Sequence, residues 1–322
     1  MMIANKARLN NFGLYELSKK IDPTMTTSLR NLFARDMNKR FLELTATILL
    51  SVDKRDCFGL KTKVQALQSE PLGYRQFAFL RNPEKVEAFM AWLQEQVDKG
   101  LLKVAEFQQI GRAIESVWTN MYIYDSYKRG VLRARSEMKQ AGLPIPSLDE
   151  SGGIEGIMNT PFHMDRVGLL FTRTFTELKN ITSAMGLQIS KVLSQGLIDG
   201  DGARLIARKL IATINGDGID RLGITDTLGR FIPAKRRAEM LARTEIIRAH
   251  AEAQLQEFKN WGVIGVNTKA EWVTTNDDRV CPKCGAMEGK IFTLEEASGK
   301  IPFHPFCRCC WLPWIPELQK YH

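Results

Sequence analysis

The sequence predicts a mainly α-helical protein that ends in a small β and cysteine-rich module. Three observations carry this expectation. Apolar residues recur at intervals of three and four along most of the chain, strand-like segments appear only after Glu271, and five of the six cysteines fall between Cys281 and Cys310. The 322 residues are 44% hydrophobic and 25% charged, an ordinary globular composition that can bury one or two cores.

Leu29, Phe33, Met37, Phe41, Leu44 and Ile48 form one face of a first helix. Asn82-Pro83 supplies an N-cap and a first-turn proline for a second. Val86, Phe89, Met90, Leu93 and Val97 follow, and Gly100 ends it. A third helical run is expected over Val104 to Gln140, with Ile114, Trp118, Met121, Val131 and Met138 as its apolar members, stopped by Gly142-Leu143-Pro144-Ile145-Pro146. Residues 147–162 lack a period and are rich in small and polar side chains, which marks a linker. Beyond it, Met164, Val167, Phe171, Phe175, Leu178, Met185, Ile189 and Val192 stripe a long helix. Asp199-Gly200-Asp201-Gly202 breaks that helix and caps a short one carrying Leu205, Ile206, Leu210 and Ile214. A Gly- and Asp-rich loop, Asn215 to Pro233, leads into another long helix with Met240, Ile247, Ala251, Leu255 and Phe258 on one face, closed by Trp261-Gly262. Glu271 to Thr275 then reads as a strand, turning at Asn276-Asp277-Asp278, and Lys290 to Thr293 pairs back as a hairpin.

The expected organisation is a basic, long-helix N-terminal region (1–146), the linker (147–162) and an α+β C-terminal domain (163–322) whose last part, 271–313, is the cysteine-rich hairpin module. Phe41 to Val52 is the longest apolar stretch and falls short of a membrane span, and the first residues lack the apolar core of a signal peptide. The net charge of +9 is concentrated in two places. One is Lys6, Arg8, Lys19, Lys20, Arg30, Arg35, Lys39 and Arg40. The other is Lys128, Arg129, Arg133, Arg135 and Lys139, a candidate contact for DNA or an acidic protein surface.

The chemistry is concentrated in the cysteines. Cys281-Pro-Lys-Cys284 lets two sulfurs face one ion, and Gly285 is expected to permit the turn. His304-Pro-Phe-Cys307 offers a second pair, followed by Arg308-Cys309-Cys310. Two close pairs separated by a hairpin-length insert match a closed tetrahedral zinc site of Cys281, Cys284, His304 and Cys307, with Cys309 the alternative fourth ligand. Such a filled site is structural. A rival pattern, His250-Ala-Glu252 upstream of Cys281-x-x-Cys284, resembles a zinc deaminase acting on nucleic acid. Three features oppose it: Val280 replaces the expected proline, His250 and Glu252 lie on different faces of a helix, and His304 and Cys307 would be left idle. No phosphate loop, nucleophile elbow or His-Glu-x-x-His motif is present, so no catalytic residues and no enzyme are expected. A general DNA-binding zinc module is the remaining alternative.

The second half of the chain resembles the phage Mu F-like (MuF domain) head morphogenesis and minor capsid proteins. The resemblance is carried by Arg243-Thr244-Glu245, Trp261-Gly262-Val263, Asp278-Arg279-Val280-Cys281-Pro-Lys-Cys284, Glu288-Gly289-Lys290-Ile291-Phe292, and Ile301-Pro302-Phe303-His304-Pro305-Phe306-Cys307-Arg308-Cys309. It covers about Met164 to Pro313, and more loosely Tyr127 to Arg135 with Ala141-Gly142-Leu143. The resemblance implies a minor structural protein inside a tailed-phage head, in the virion near the portal vertex, acting in head morphogenesis, DNA packaging or ejection. It implies the portal protein as partner, with packaged DNA, capsid or scaffolding protein besides, and no membrane while in the head. Arg243, Thr244 and Glu245 are expected to anchor their helix to the zinc module or to the portal. The chain ends at His322 soon after the cysteine run, so no appended toxin or ADP-ribosyltransferase domain is expected.

Overall fold

The computed structural model describes residues 22–61, 76–109, 112–216, 232–263, 267–275 and 277–316. Lys6, Arg8, Lys19, Lys20, Asn276 and most of the Asn215–Pro233 loop lie outside them. The molecule is mainly helical, with a three-stranded antiparallel sheet near the C-terminal end. No helix among the described residues is long and apolar enough to cross a membrane.

In chain order the elements are α1 (Thr27–Leu49), which runs into a π-helical turn at Leu50–Lys54, α2 (Asn82–Gly100), β1 (Val104–Gln109), β2 (Arg112–Val117) and α3 (Asn120–Gln140). They continue with α4 (Gly153–Met158), α5 (Pro161–Ile198), α6 (Ala203–Asn215), α7 (Ala234–Val263), β3 (Lys269–Val273), α8 (Pro282–Gly285), β4 (Ile291–Phe292), α9 (Leu294–Ala297) and β5 (Cys310–Trp314). The chain forms two compact units, and the division falls inside α1, α5 and α7.

One unit comprises Ala34–Trp118 and Phe175–Leu241. Phe58, Phe77, Phe89 and Trp92 form its aromatic cluster, with centroids 5.3–6.0 Å apart. Here two expectations are corrected. The helical run expected from Val104 is an antiparallel hairpin over β1 and β2, pairing Val104 with Val117 and Gln109 with Arg112, and α3 starts only at Asn120. Gly111 and the β-branched Val104, Ile114 and Val117 were the opposing signals in the sequence. Trp118 is buried, donating its indole N–H to the Leu101 carbonyl at 2.8 Å, with the Arg40 guanidinium 4.1 Å from its ring centroid. Asn82 does not cap α2. Arg81 holds the extended N-cap position, and the Asn82 amide donates to the Leu197 carbonyl.

The other unit comprises residues up to Phe33, Thr119–Thr174 and residues from Ala242 on. Its core joins α3 (Ala134, Met138) and α7 (Ile247, Ala251, Leu255, Phe258) to the sheet (Ala270, Trp272, Trp311) and to Cys284, Cys307 and Cys309. The hairpin of β3 and β4 forms as expected, in a register pairing Ala270 with Phe292. A third strand, β5, pairs with the other edge of β3 and sets Trp272 opposite Trp311, their rings edge-on at 5.3 Å. Strands this short have little stability alone, so packing of the two tryptophans on α3 and α7 supplies what the ladder lacks. Met121 and Met164, expected on buried stripes, are 43% and 53% exposed. In α5 the buried positions include Val167, Leu170, Leu178, Met185 and Ile189. Segment 147–162 carries α4 and belongs to this unit, where Arg135 donates to the Pro146 carbonyl and the Ser151 hydroxyl.

Candidate metal centre

β3 leads through Thr275 to the lead-in of the first cysteine. Cys281 is the extended N-cap of α8, with Pro282 in its first turn, and its sulfur accepts the Cys284 N–H at 3.4 Å. This single turn brings both sulfurs to one side. Gly285 is not what permits it: a Cβ there would meet only Val280 Cγ1, at 3.7 Å, an ordinary contact. The second arm is shaped by Phe306, whose φ of 63° is left-handed, while the Cys307 N–H donates to the His304 carbonyl at 3.1 Å.

His304 Nε2 lies 3.2 Å from Cys281 Sγ and 3.1 Å from Cys284 Sγ. Its Nδ1 lies 2.7 Å from the Pro305 carbonyl, an oxygen that only accepts. The proton therefore sits on Nδ1, and in the neutral ring Nε2 keeps its lone pair toward the sulfurs, as in a metal-ligating histidine. Cys284 Sγ is 4.0 Å from Cys307 Sγ. The donors form two groups, Cys281 with Cys284 and His304, and Cys284 with Cys307 and Cys309, the donor atoms of each lying within 4.8 Å of one another. Cys284 belongs to both. Cys310 belongs to neither: it enters β5, where burial pushes its thiol up to about 12.

These neighbouring sulfurs hold their protons unequally. Burial and the neighbouring Cys307 raise Cys284 to about 12, whereas a hydrogen bond from Cys309 brings Cys307 down to about 5. A divalent cation that takes cysteines as thiolates would relieve that competition between Cys284 and Cys307. The donor chemistry thus fits a metal, and Cys281, Cys284, His304 and Cys309 line an adjoining recess of about 20 Å³. The Cys/His groups can hold a metal ion.

The other expected site residues lie elsewhere. Arg243 donates to the Asn31 side chain at 2.8 Å. Glu245 is buried with Arg248 at 3.2 Å and Arg173 at 3.4 Å, and the Thr244 hydroxyl is buried without a hydrogen-bond partner among the described residues. Most of the basic run on α3 is engaged within its own unit. Lys128 lies near Asp125 and Glu155, Arg129 reaches the Met25 carbonyl, Arg133 pairs with Glu137, Arg135 with buried Glu257, and Lys139 is exposed. His250 is buried in α7, and Glu252 pairs with Arg166 at 2.7 Å; neither joins a metal-ligand group among the described residues.

Three features were missed by sequence reasoning. Asp277 and Arg308 form a two-pronged ion pair beside the cysteines, with both N···O distances 2.7 Å. Glu257 gathers His163, Arg135, Trp261 and Asn260 inside the core, and His163 also meets the Tyr127 hydroxyl. Gln254 braces β5. The available signal for Gln254 and Glu257 was a polar residue on or beside the apolar face of a long helix.

Residues 187–312 match the family model described as Phage Mu protein F like protein. This segment is similar to the phage Mu F-like family. The match begins later than the Met164 expected from the resemblance and includes every donor of the metal centre. No curated protein and no solved structure matches the chain. The Mu F-like domain suggests a phage head morphogenesis protein.

Proposed function

We propose that this protein is a minor structural component of a tailed-phage head, positioned inside the capsid next to the portal and acting in head morphogenesis, DNA packaging or ejection without catalysis of its own. The observation that carries this reading is the Mu F-like match over 187–312, which spans the cysteine module and the helix packed on it. The centre takes zinc, with Cys281, Cys284, His304 and Cys307 as ligands. When bound, zinc supplies a fixed tetrahedral junction between the α8 turn and the His304–Cys307 arm. The chain's own residues do the rest: Trp272 and Trp311 exclude water from one side, and the Pro305 carbonyl fixes the histidine tautomer. The portal protein is the principal partner, with packaged DNA, capsid or scaffolding protein as further ones.

Quantitative mass spectrometry of purified particles and precursor heads tests the assignment. A few copies per particle are expected; absence from both would overturn it. Metal analysis of the purified chain tests the centre, with one zinc per chain expected and none excluding it.

A further inference from the structure

We propose that the Asp277–Arg308 ion pair is the outer support of the metal centre, holding its two arms in register so that the ion meets a preset group of donors. The inference rests on the reading that the centre binds a metal.

Asp277 precedes Cys281 by one turn, its carbonyl accepting the Val280 N–H at 3.1 Å. Arg308 lies 31 residues further on, between Cys307 and Cys309. Both guanidinium Nη atoms reach the carboxylate at 2.7 Å, and the two side chains are only 18% and 20% exposed. The same carboxylate accepts the Thr275 hydroxyl at 3.0 Å and the Arg279 N–H at 3.1 Å. One aspartate therefore ties the end of the β3 segment, the approach to the first cysteine pair, and the residue between two later cysteines. A fork of this kind fixes orientation as well as distance, because two parallel bonds resist rotation. Arg308 turns out to Asp277 while Cys307 and Cys309 on either side are buried beside Cys284. The two arms are held together by protein groups alone, so less ordering remains to be done when the ion arrives.

The test is zinc affinity of the purified full chain, measured by competition with a chromophoric chelator, for the parent, Asp277→Asn, Arg308→Lys and the exchange Asp277→Arg with Arg308→Asp. Loss of an outer support weakens metal binding by about 10- to 100-fold. Both single variants are expected in that range, with partial recovery in the exchange. A role in fold stability alone would lower the melting temperature of metal-free and loaded chain alike and leave the dissociation constant unmoved. Arg308→Lys keeps the charge and removes only the fork, so it serves if Asp277→Asn does not fold. Zinc binding within twofold of the parent in the folded single variants would overturn the proposal while leaving the metal centre standing. A parent that binds no zinc would overturn both.

Discussion

The Gln254 carboxamide holds both backbone groups of Trp311, donating to its carbonyl at 2.7 Å and accepting its N–H at 3.2 Å. Trp272, directly opposite in the sheet, spends its own backbone groups on Gly289 and Lys290. The outward pair on β5 is thus taken by a side chain from α7. An edge strand normally leaves such groups to water or to another chain; here they are buried and satisfied by a fully buried glutamine.

Gln254→Leu keeps the bulk and removes both bonds. A buried polar group left without its partner costs about 1–3 kcal/mol, so the loss of stability is expected near 2–4 kcal/mol. Urea unfolding of the variant against the parent measures it. A change below about 0.5 kcal/mol, the range of ordinary surface substitutions, would show that β5 is held by tryptophan packing alone.

Gly130 lies inside α3 where that helix crosses α7. A Cβ there would fall 2.4 Å from the His250 carbonyl oxygen and 2.7 Å from Ala253 Cβ, and the nearby Ser126 hydroxyl donates to the Ile246 carbonyl at 2.6 Å. Gly130→Ala improves helix propensity by about 1 kcal/mol. It also forces two backbones apart, for which overpacking costs of about 1–3 kcal/mol are a lower guide because the hydrogen bond goes too. A net destabilisation of about 2 kcal/mol is expected. At Gly100, where a Cβ meets nothing within 4 Å, the same substitution is expected to be neutral or slightly stabilising. Thermal melts of the two variants side by side separate crowding from propensity.

These positions show which parts of the molecule the sequence disclosed. The long helices and the cysteine spacing were legible because each is a local pattern: a 3.6-residue period for α1, α5 and α7, and a two-residue gap for Cys281 and Cys284. The β1–β2 hairpin was read as helix because Trp118, Met121 and Val131 continued the period backwards through Ile114. The strand-forming residues before them were outweighed. β5 was missed because Cys310 and Pro313 disguise it; its strand character comes from pairing with β3, a contact across some forty residues. Gln254, Asp277 and Arg308 were opaque for the same reason. Their partners are distant in sequence, and polar residues at such positions look identical whether solvated or clamped.

His250 is buried against this crossing. Burial, with Arg133 and Arg129 nearby, depresses its imidazole to about 3, against the opposing pull of Asp22. The folded chain therefore refuses a proton that the unfolded chain accepts near pH 6.5. Stability is full above that value and falls as the pH drops toward 3. At pH 5 the loss from this residue is about 2 kcal/mol. His250→Gln removes the titration. Its stability relative to the parent is expected to rise on acidification from pH 7 to 5, since the other histidines and the cysteines are common to both and cancel in the difference. Parallel pH profiles would exclude this account.

Cys284 belongs to both donor groups, so substitutions around the centre are expected to be unequal. In isolated zinc modules the ion contributes on the order of 10 kcal/mol of folding free energy. Here Trp272, Trp311 and the α3–α7 face supply a core that remains without it, so a smaller loss is expected and the chain stays folded. Cys284→Ser should abolish zinc binding and lower the melting temperature. Cys281→Ser and Cys307→Ser should follow it closely. Cys309→Ser should retain one zinc per chain, because His304 is already turned, by its bond to the Pro305 carbonyl, with Nε2 facing Cys281 and Cys284. Metal content by elemental analysis, beside melts with and without a chelator, decides the fourth ligand. If His304→Gln keeps the zinc and Cys309→Ser loses it, the sulfur has that position and the histidine only shields it.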